Sequence, residues 1–263
     1  MTVTASQAPS TEPTPEAEAA PTVAASLAPN TRPAPTVAAS LAPNTRPAPT
    51  VAASLALNTK LAPVTPVLRA ATAALWRPEG LRRRYPRYLA AMHALVRASV
   101  PLLERAAERS AELDDPAARR LAAYSLRHAE EERDHDTWLL EDLAAIGAAP
   151  ALVPHPVVVE LAGAQYYRIE HEHPVALLGY IAVLEGNAPG PRLADRLAEA
   201  TGLPPAAFRT VREHAELDGG HVDDLLRELD ALELPAHRQT AVCVSALHTA
   251  ALLTRLFLAL AAD

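Results

Sequence analysis

Cysteine is almost absent from this chain, and Cys243 is the only one. An intramolecular disulfide is therefore excluded, and so is a thiolate-rich metal site. Lysine is as scarce. Lys60 stands alone, ahead of the part of the chain that reads as folded, so Schiff-base chemistry has no amine to use there. Basic charge is also short: 24 Lys and Arg against 31 Asp and Glu give a formal net charge of −7. The charges before Pro66 (Glu12, Glu16, Glu18, Arg32, Arg46 and Lys60) cancel, so the whole acidic excess falls on the folded part. Phosphate binding needs a basic patch, and nucleic acid is not an expected partner. The short run Arg82-Arg83-Arg84 reads as a solvated helix start. The N-terminus lacks the basic start and apolar core of a signal peptide, which, with one cysteine, sets the expectation of a reducing cytoplasm. Strand-like alternation is missing from Val67 onward, so the expected fold class is all-α.

What is abundant is unevenly spread. The 25 prolines and the alanines crowd the first quarter. The stretch Ala-Pro-Thr-Val-Ala-Ala-Ser-Leu-Ala-Pro-Asn-Thr-Arg-Pro runs from Ala20 to Pro33 and recurs from Ala34 to Pro47. A third copy, Ala48 to Leu61, has decayed to end in Leu-Asn-Thr-Lys-Leu. Solenoid repeats bury a face on their neighbours. These copies offer mostly alanine and are interrupted by proline. The expectation is a disordered tail over residues 1–66 and a helical domain over 67–263.

Within the domain, helices are expected over Val67–Trp76, from Leu81 towards Leu113 with a kink or split at Pro101, and from Pro116 to near Gly147 behind the acidic cap Asp114-Asp115. Further helices follow over Pro154–His173, Val175–Leu184, Leu193–Ala200, Pro205–Leu234 and His237–Ala262. The last is apolar enough to raise a membrane span. His248 and Arg255 interrupt it, and a buried closing helix is the expectation, with no membrane partner.

The chemistry concentrates in His214-Ala-Glu-Leu-Asp218-Gly-Gly-His221 and in His128-Ala-Glu-Glu-Glu132-Arg-Asp-His135. Helix residues i, i+4 and i+7 share a face, so His214, Asp218 and His221 point one way, and His128, Glu132 and His135 repeat the pattern. Imidazoles and a carboxylate on one face suit iron, manganese or zinc. Glu185 closes an apolar run, where an ionised carboxylate is costly unless paired or metal-bound. Helical dinuclear sites combine such lone carboxylates with acid-x2-His pairs, here Glu132-x2-His135 and Asp218-x2-His221. Glu131 lies about 60° from His128 around the helix and competes with Glu132; Glu104 is a further candidate carboxylate. His155, His171, His173 and His237 lie near prolines or helix ends and read as caps or solvent-facing. His93 and His248 read as core. Gly219-Gly220 would admit a close partner, either a ligand or a crossing helix. Tyr124, Tyr166, Tyr167, His171 and Tyr180 are candidates to line a pocket.

Over about Tyr85 to Ala262 the chain resembles the haem-oxygenase-like diiron oxidases and oxygenases, a family of iron-containing redox enzymes. The resemblance rests on His128-Ala-Glu-Glu-Glu-Arg-Asp-His135-Asp-Thr-Trp, on Leu-Glu185-Gly-Asn-Ala-Pro and on His214-x3-Asp218-x2-His221. It implies a haem-oxygenase-like bundle of about seven helices. It implies two Fe(II) ions per chain, held by His214, Asp218, His221, Glu185, His135 and an acid of the first triplet, with dioxygen as co-substrate. The implied reaction is oxidation of a small molecule by N-oxygenation, desaturation or oxidative C–C cleavage, and the implied associations are a homodimer and a redox partner. Some members place a Glu seven residues before the match to His135. Here that position is His128, so either His128 or Glu132 completes that iron. The competing readings are a haem-binding or haem-degrading protein, a thiaminase-like protein using Cys243, a ferritin-like bundle, and a non-enzymatic helical interaction domain.

Overall fold

A computed structural model describes residues 51–262, apart from the side chains of Asp218 and Gly219. The first two repeat copies, and with them most of the expected tail, lie outside the described residues. Among the described residues there is no strand. The helices are α1 (Ala53–Leu61), α2 (Thr65–Leu75), α3 (Leu81–Val96), α4 (Ser99–Ala111), α5 (Pro116–Glu131), α6 (His135–Ala145), α7 (Pro156–His171), α8 (Leu177–Glu185), α9 (Leu193–Thr201), α10 (Arg209–Ala231) and α11 (Ala236–Ala262). Single 3-10 turns at Pro174–Ala176 and Pro205–Phe208 lead into α8 and α10. Among the described residues there are eleven helices against the eight segments expected, because the segments from Leu81 and from Pro116 are each broken in two and one further helix lies in the expected tail.

That extra helix corrects the domain boundary. Ala53–Leu61, within the third repeat copy, forms α1, with Leu57 fully buried and Leu61 packed against the core. At the positions of Leu57 and Leu61 the first two copies carry Pro29 and Pro33, then Pro43 and Pro47. Proline in a helix interior removes a hydrogen bond and clashes with the preceding turn. With leucine at both positions the third copy is free to form this helix. Asp230 of α10 caps its start, accepting from Ser54 N at 2.8 Å and Ser54 Oγ at 2.7 Å.

α11 is the helix around which the others pack; α1, α2, α7 and α8 lie against it. Its apolar residues Val242, Ala246, Ala250, Leu253, Leu256 and Leu260 recur at three- and four-residue spacing and are all buried. By length and composition it could cross a membrane, but 56% of its most apolar stretch is buried inside the structure. Gly179 sets how closely α8 crosses it. A Cβ there would stand 2.1 Å from Val242 O and 2.8 Å from Ala246 N, so no other residue fits. Glu185, at the end of α8, is thereby fixed in depth.

The expected split near Pro101 is present, between Val96 and Ser99. Asp115 caps α5 as expected, accepting from Ala117 N at 2.9 Å. The single helix expected from Pro116 to Gly147 is not continuous: α5 stops at Glu131, α6 starts at His135, and Asp134 between them is left-handed at φ 67°. His128 and His135 therefore sit on two helices joined by a tight turn. The solvated reading of the arginine run is also corrected. Arg84 is buried and binds the carbonyls of Leu75 (3.1 Å), Glu79 and Arg77, closing the loop between α2 and α3. Arg82 donates to Thr201 O at 2.6 Å.

Candidate metal centre

Four helices deliver the candidate ligands to one place. The end of α5 brings His128, the turn after it brings Glu132, the start of α6 brings His135, the end of α8 brings Glu185, and α10 brings His214 and His221. The potential ligand atoms of Glu132, His135 and His214 all lie within 4.8 Å of one another, and so do those of His128, Glu132 and Glu185. Glu132 belongs to both groups. His221 joins the second, with Nδ1 3.7 Å from Glu185 Oε1 and 3.9 Å from Glu132 Oε1. The break at Glu132–Asp134 does not scatter the first triplet; it bends the chain so that His128 and His135 face different halves of one site.

The ring nitrogens are oriented by what lies behind them. His214 Nδ1 lies 3.0 Å from Thr210 O; a carbonyl only accepts, so Nδ1 carries the proton and Nε2 keeps its lone pair. His128 Nδ1 faces Glu131 at 3.5 Å, which leaves Nε2 towards Glu185 Oε1 at 2.9 Å. Glu131 is thus the partner behind an imidazole, in the manner of carboxylates that orient metal-bound histidines. The two imidazoles are also stacked on aromatic rings, His128 on Tyr124 at 5.5 Å and His135 on Trp138 at 4.1 Å between centroids. A guanidinium covers each ring, Arg127 over Tyr124 and Arg209 over Trp138.

Asp142 was not among the sequence candidates. It is fully buried on α6 and accepts from Arg209 N at 2.9 Å and Thr210 N at 3.0 Å. These are the first N–H groups of α10, which its own flanking residue does not cap. One carboxylate therefore ties the helix of His135 to the helix of His214. The signal in sequence was spacing: Asp142 lies seven residues after His135, on the same helix face.

Burial and mutual charge pull the titratable groups apart. Burial holds His214 below its ordinary value. Burial would lower His128 too, but the adjacent Glu185 carboxylate, with Glu132 and Glu131, more than offsets it, and the net shift is upward. Burial pushes Glu185 up in spite of His128 and His221. For Glu132 burial is overcome by His135, then by His128 and His214, and the carboxyl sits below its usual range.

A cavity of about 120 Å³ opens beside these groups. Its walls include His128, Glu132, Glu185 and His214, with Tyr180 as the one aromatic that sequence reasoning placed there. Met92, Tyr88 and Phe257 also line it and were not foreseen. Tyr166 and Tyr167 are exposed, as is His171, and none of the three reaches the cavity. Glu104 is half exposed and pairs with Arg133 at 3.6 Å, away from the cluster. Asp218 lies within α10, but its side chain is outside the described residues. A Cβ on Gly220 would meet nothing within 4 Å among the described residues, so none of their helices packs against that point. His155 and His173 cap helices as expected, accepting from Val157 N and Val175 N.

Residues 86–254, a span that contains all the candidate ligands, match the family model of iron-containing redox enzymes. The chain belongs to that family. Among solved structures, a domain of unknown function with a haem oxygenase-like fold from Shewanella denitrificans OS217 is similar at 17% identity and a TM-score of 0.60, covering 79% of this chain and 88% of its own. A TenA homolog from Pseudomonas syringae pv. tomato DC3000 is similar at 12% identity and a TM-score of 0.57, covering 77% and 92%. This iron-containing redox enzyme therefore has a haem oxygenase-like fold. No curated protein sequence matches it.

The donor chemistry fits iron. Both carboxylate oxygens of Glu185, Nδ1 of His135 and Nδ1 of His221 are buried without an aligned hydrogen-bond partner among the described residues. Folded proteins rarely leave such atoms unmet, and here four of them converge with the other imidazoles and carboxylates on one point.

Proposed function

We propose that this chain is a non-haem diiron enzyme that uses dioxygen to oxidise a small molecule. The observation that carries the reading is the shared carboxylate: Glu132 belongs to two separate donor groups, each compact enough for one ion. His135 and His214 complete one group. His128 and Glu185, with His221, complete the other. Carboxylate-bridged pairs of this kind are the recurring design of dinuclear sites in helical bundles. A haem held by one histidine would leave the remaining five convergent donors without a role.

Bound there, two Fe(II) ions would supply two electrons to dioxygen, and the small molecule or an external reductant would supply the other two needed for its full reduction. The protein's part is positional. Thr210 O and Glu131 fix the tautomers of His214 and His128. Asp142 holds α10 against α6. Trp138, stacked on His135 under Arg209, covers one flank of the site and keeps water from it. The apolar cavity holds the small molecule beside the ligands; N-oxygenation, desaturation and C–C cleavage are all compatible with such a site. The test is stopped-flow mixing of anaerobic, Fe(II)-loaded protein with oxygenated buffer. A transient visible absorption that is absent from Glu132→Ala is the expected result. Oxidation of the loaded protein with no transient, or the same trace in the variant, contradicts the proposal.

A further inference from the structure

Tyr180 is 1% exposed, and its hydroxyl is buried without a hydrogen-bond partner among the described residues. It lines the cavity, five residues before Glu185 on α8. Tyr124 has the same unmet hydroxyl but does not line the cavity; Thr210 Oγ1 is unmet too and lines it, at the start of α10 where Asp142 caps the backbone. The described walls are mostly apolar, with Met92, Leu95, Leu139 and Phe257 among them; Ser99, Asn187 and Thr210 add neutral polar groups. Among the described residues no lysine or arginine lines the cavity, and besides the phenols its ionisable groups are Glu132, Glu185 and the imidazoles of His128 and His214. Away from the candidate metal ligands, nothing there would neutralise an anion. The volume of about 120 Å³ is somewhat below the roughly 150 Å³ of an apolar cavity that takes benzene.

We propose that the molecule bound in this cavity is small and largely apolar, with one uncharged hydrogen-bond acceptor that the Tyr180 hydroxyl holds. That it is the substrate rests on the diiron reading above. Burial keeps the phenol protonated, with the Glu132 carboxylate adding to the effect, so the hydroxyl is available as a donor. A ketone, ester, amide or ether oxygen meets it. A hydrocarbon leaves it unmet, and a carboxylate brings a charge that this wall does not pair.

Three probes of one shape separate these cases: cyclopentanone, methylcyclopentane and cyclopentanecarboxylate. Their binding is followed by ligand-observed NMR without oxygen, on Fe(II)-loaded and on metal-free full-length protein, in the wild type and in Tyr180→Phe. Cyclopentanone should bind the wild type more tightly than methylcyclopentane in both forms, and more tightly than the carboxylate in the metal-free form. Tyr180→Phe should weaken cyclopentanone about 2- to 10-fold, the worth of a neutral hydrogen bond. Methylcyclopentane should be unaffected, and the melting temperature unchanged or higher, since a buried unmet hydroxyl is removed. Equal binding of ketone and hydrocarbon, no loss of the ketone in the variant, or preference for the carboxylate in the metal-free form would overturn the proposal. Protein that takes up no iron yet keeps the ketone preference defeats the diiron reading and leaves the ligand class standing. Protein that takes up iron without that preference does the reverse.

Discussion

Glu132 and Glu185 sit in the same cluster, yet their carboxyls shift in opposite directions. Glu132 lies among His135, His128 and His214 and stays ionised. Glu185 is governed by its burial and stands 2.9 Å from His128, which is shifted upward. In the metal-free protein these two groups hold a proton that a metal must displace. A raised His128 keeps its proton to higher pH, so its contribution to metal-free stability is full below the ordinary value of 6.5 and is lost as pH rises through the raised value. Metal affinity runs the other way. Fe(II) affinity should rise by about tenfold per pH unit for each proton displaced, up to the raised His128 value, and level off above it. Calorimetric titration in buffers of different ionisation heat would show protons released on loading. Affinity flat between about pH 6 and 8, with no proton release, would contradict this assignment.

At the scale of elements, the candidate ligands were legible because spacing within a helix is a sequence property. His214 and His221 lie seven residues apart on one uninterrupted helix, as the pattern requires. The first triplet was legible for a partly wrong reason. No glycine or proline marks the break at Glu132–Asp134; Asp134 takes a left-handed conformation that Asp tolerates better than most residues, and tertiary packing imposes it. The tail boundary failed through repetition. Three similar copies suggest a tail as far as residue 66, but Leu57 and Leu61 stand where the earlier copies carry proline, and α1 forms there. Leu57→Pro restores the residue of the earlier copies and should undock α1 from α10 and α11. The expected loss is about 3 kcal/mol or more, from the helix break alone, with a further contribution from the emptied core site. Thermal unfolding of the full chain measures it; an unchanged midpoint would show that α1 adds nothing to the fold.

For the molecule as a whole, the all-helical class followed from periodicity alone, and the haem oxygenase-like arrangement followed from the resemblance. Neither could supply the cavity. Tyr180 and Glu185 share α8, but Met92 and Phe257 come from α3 and α11, and only the packing of helices distant in sequence makes them neighbours. Asp142 was hidden for the same reason: an acid in Leu-Glu-Asp-Leu looks solvated until α10 is placed over it. The whole molecule thus reads as a frame that brings four helices to one shared carboxylate. The most direct test is the iron content of the full chain after anaerobic Fe(II) loading and removal of loose metal, in the wild type and in Glu132→Ala. Close to two irons per chain in the wild type and almost none in the variant is the predicted result. A wild type that holds a single iron, or a variant that keeps its iron, would contradict the shared-carboxylate centre.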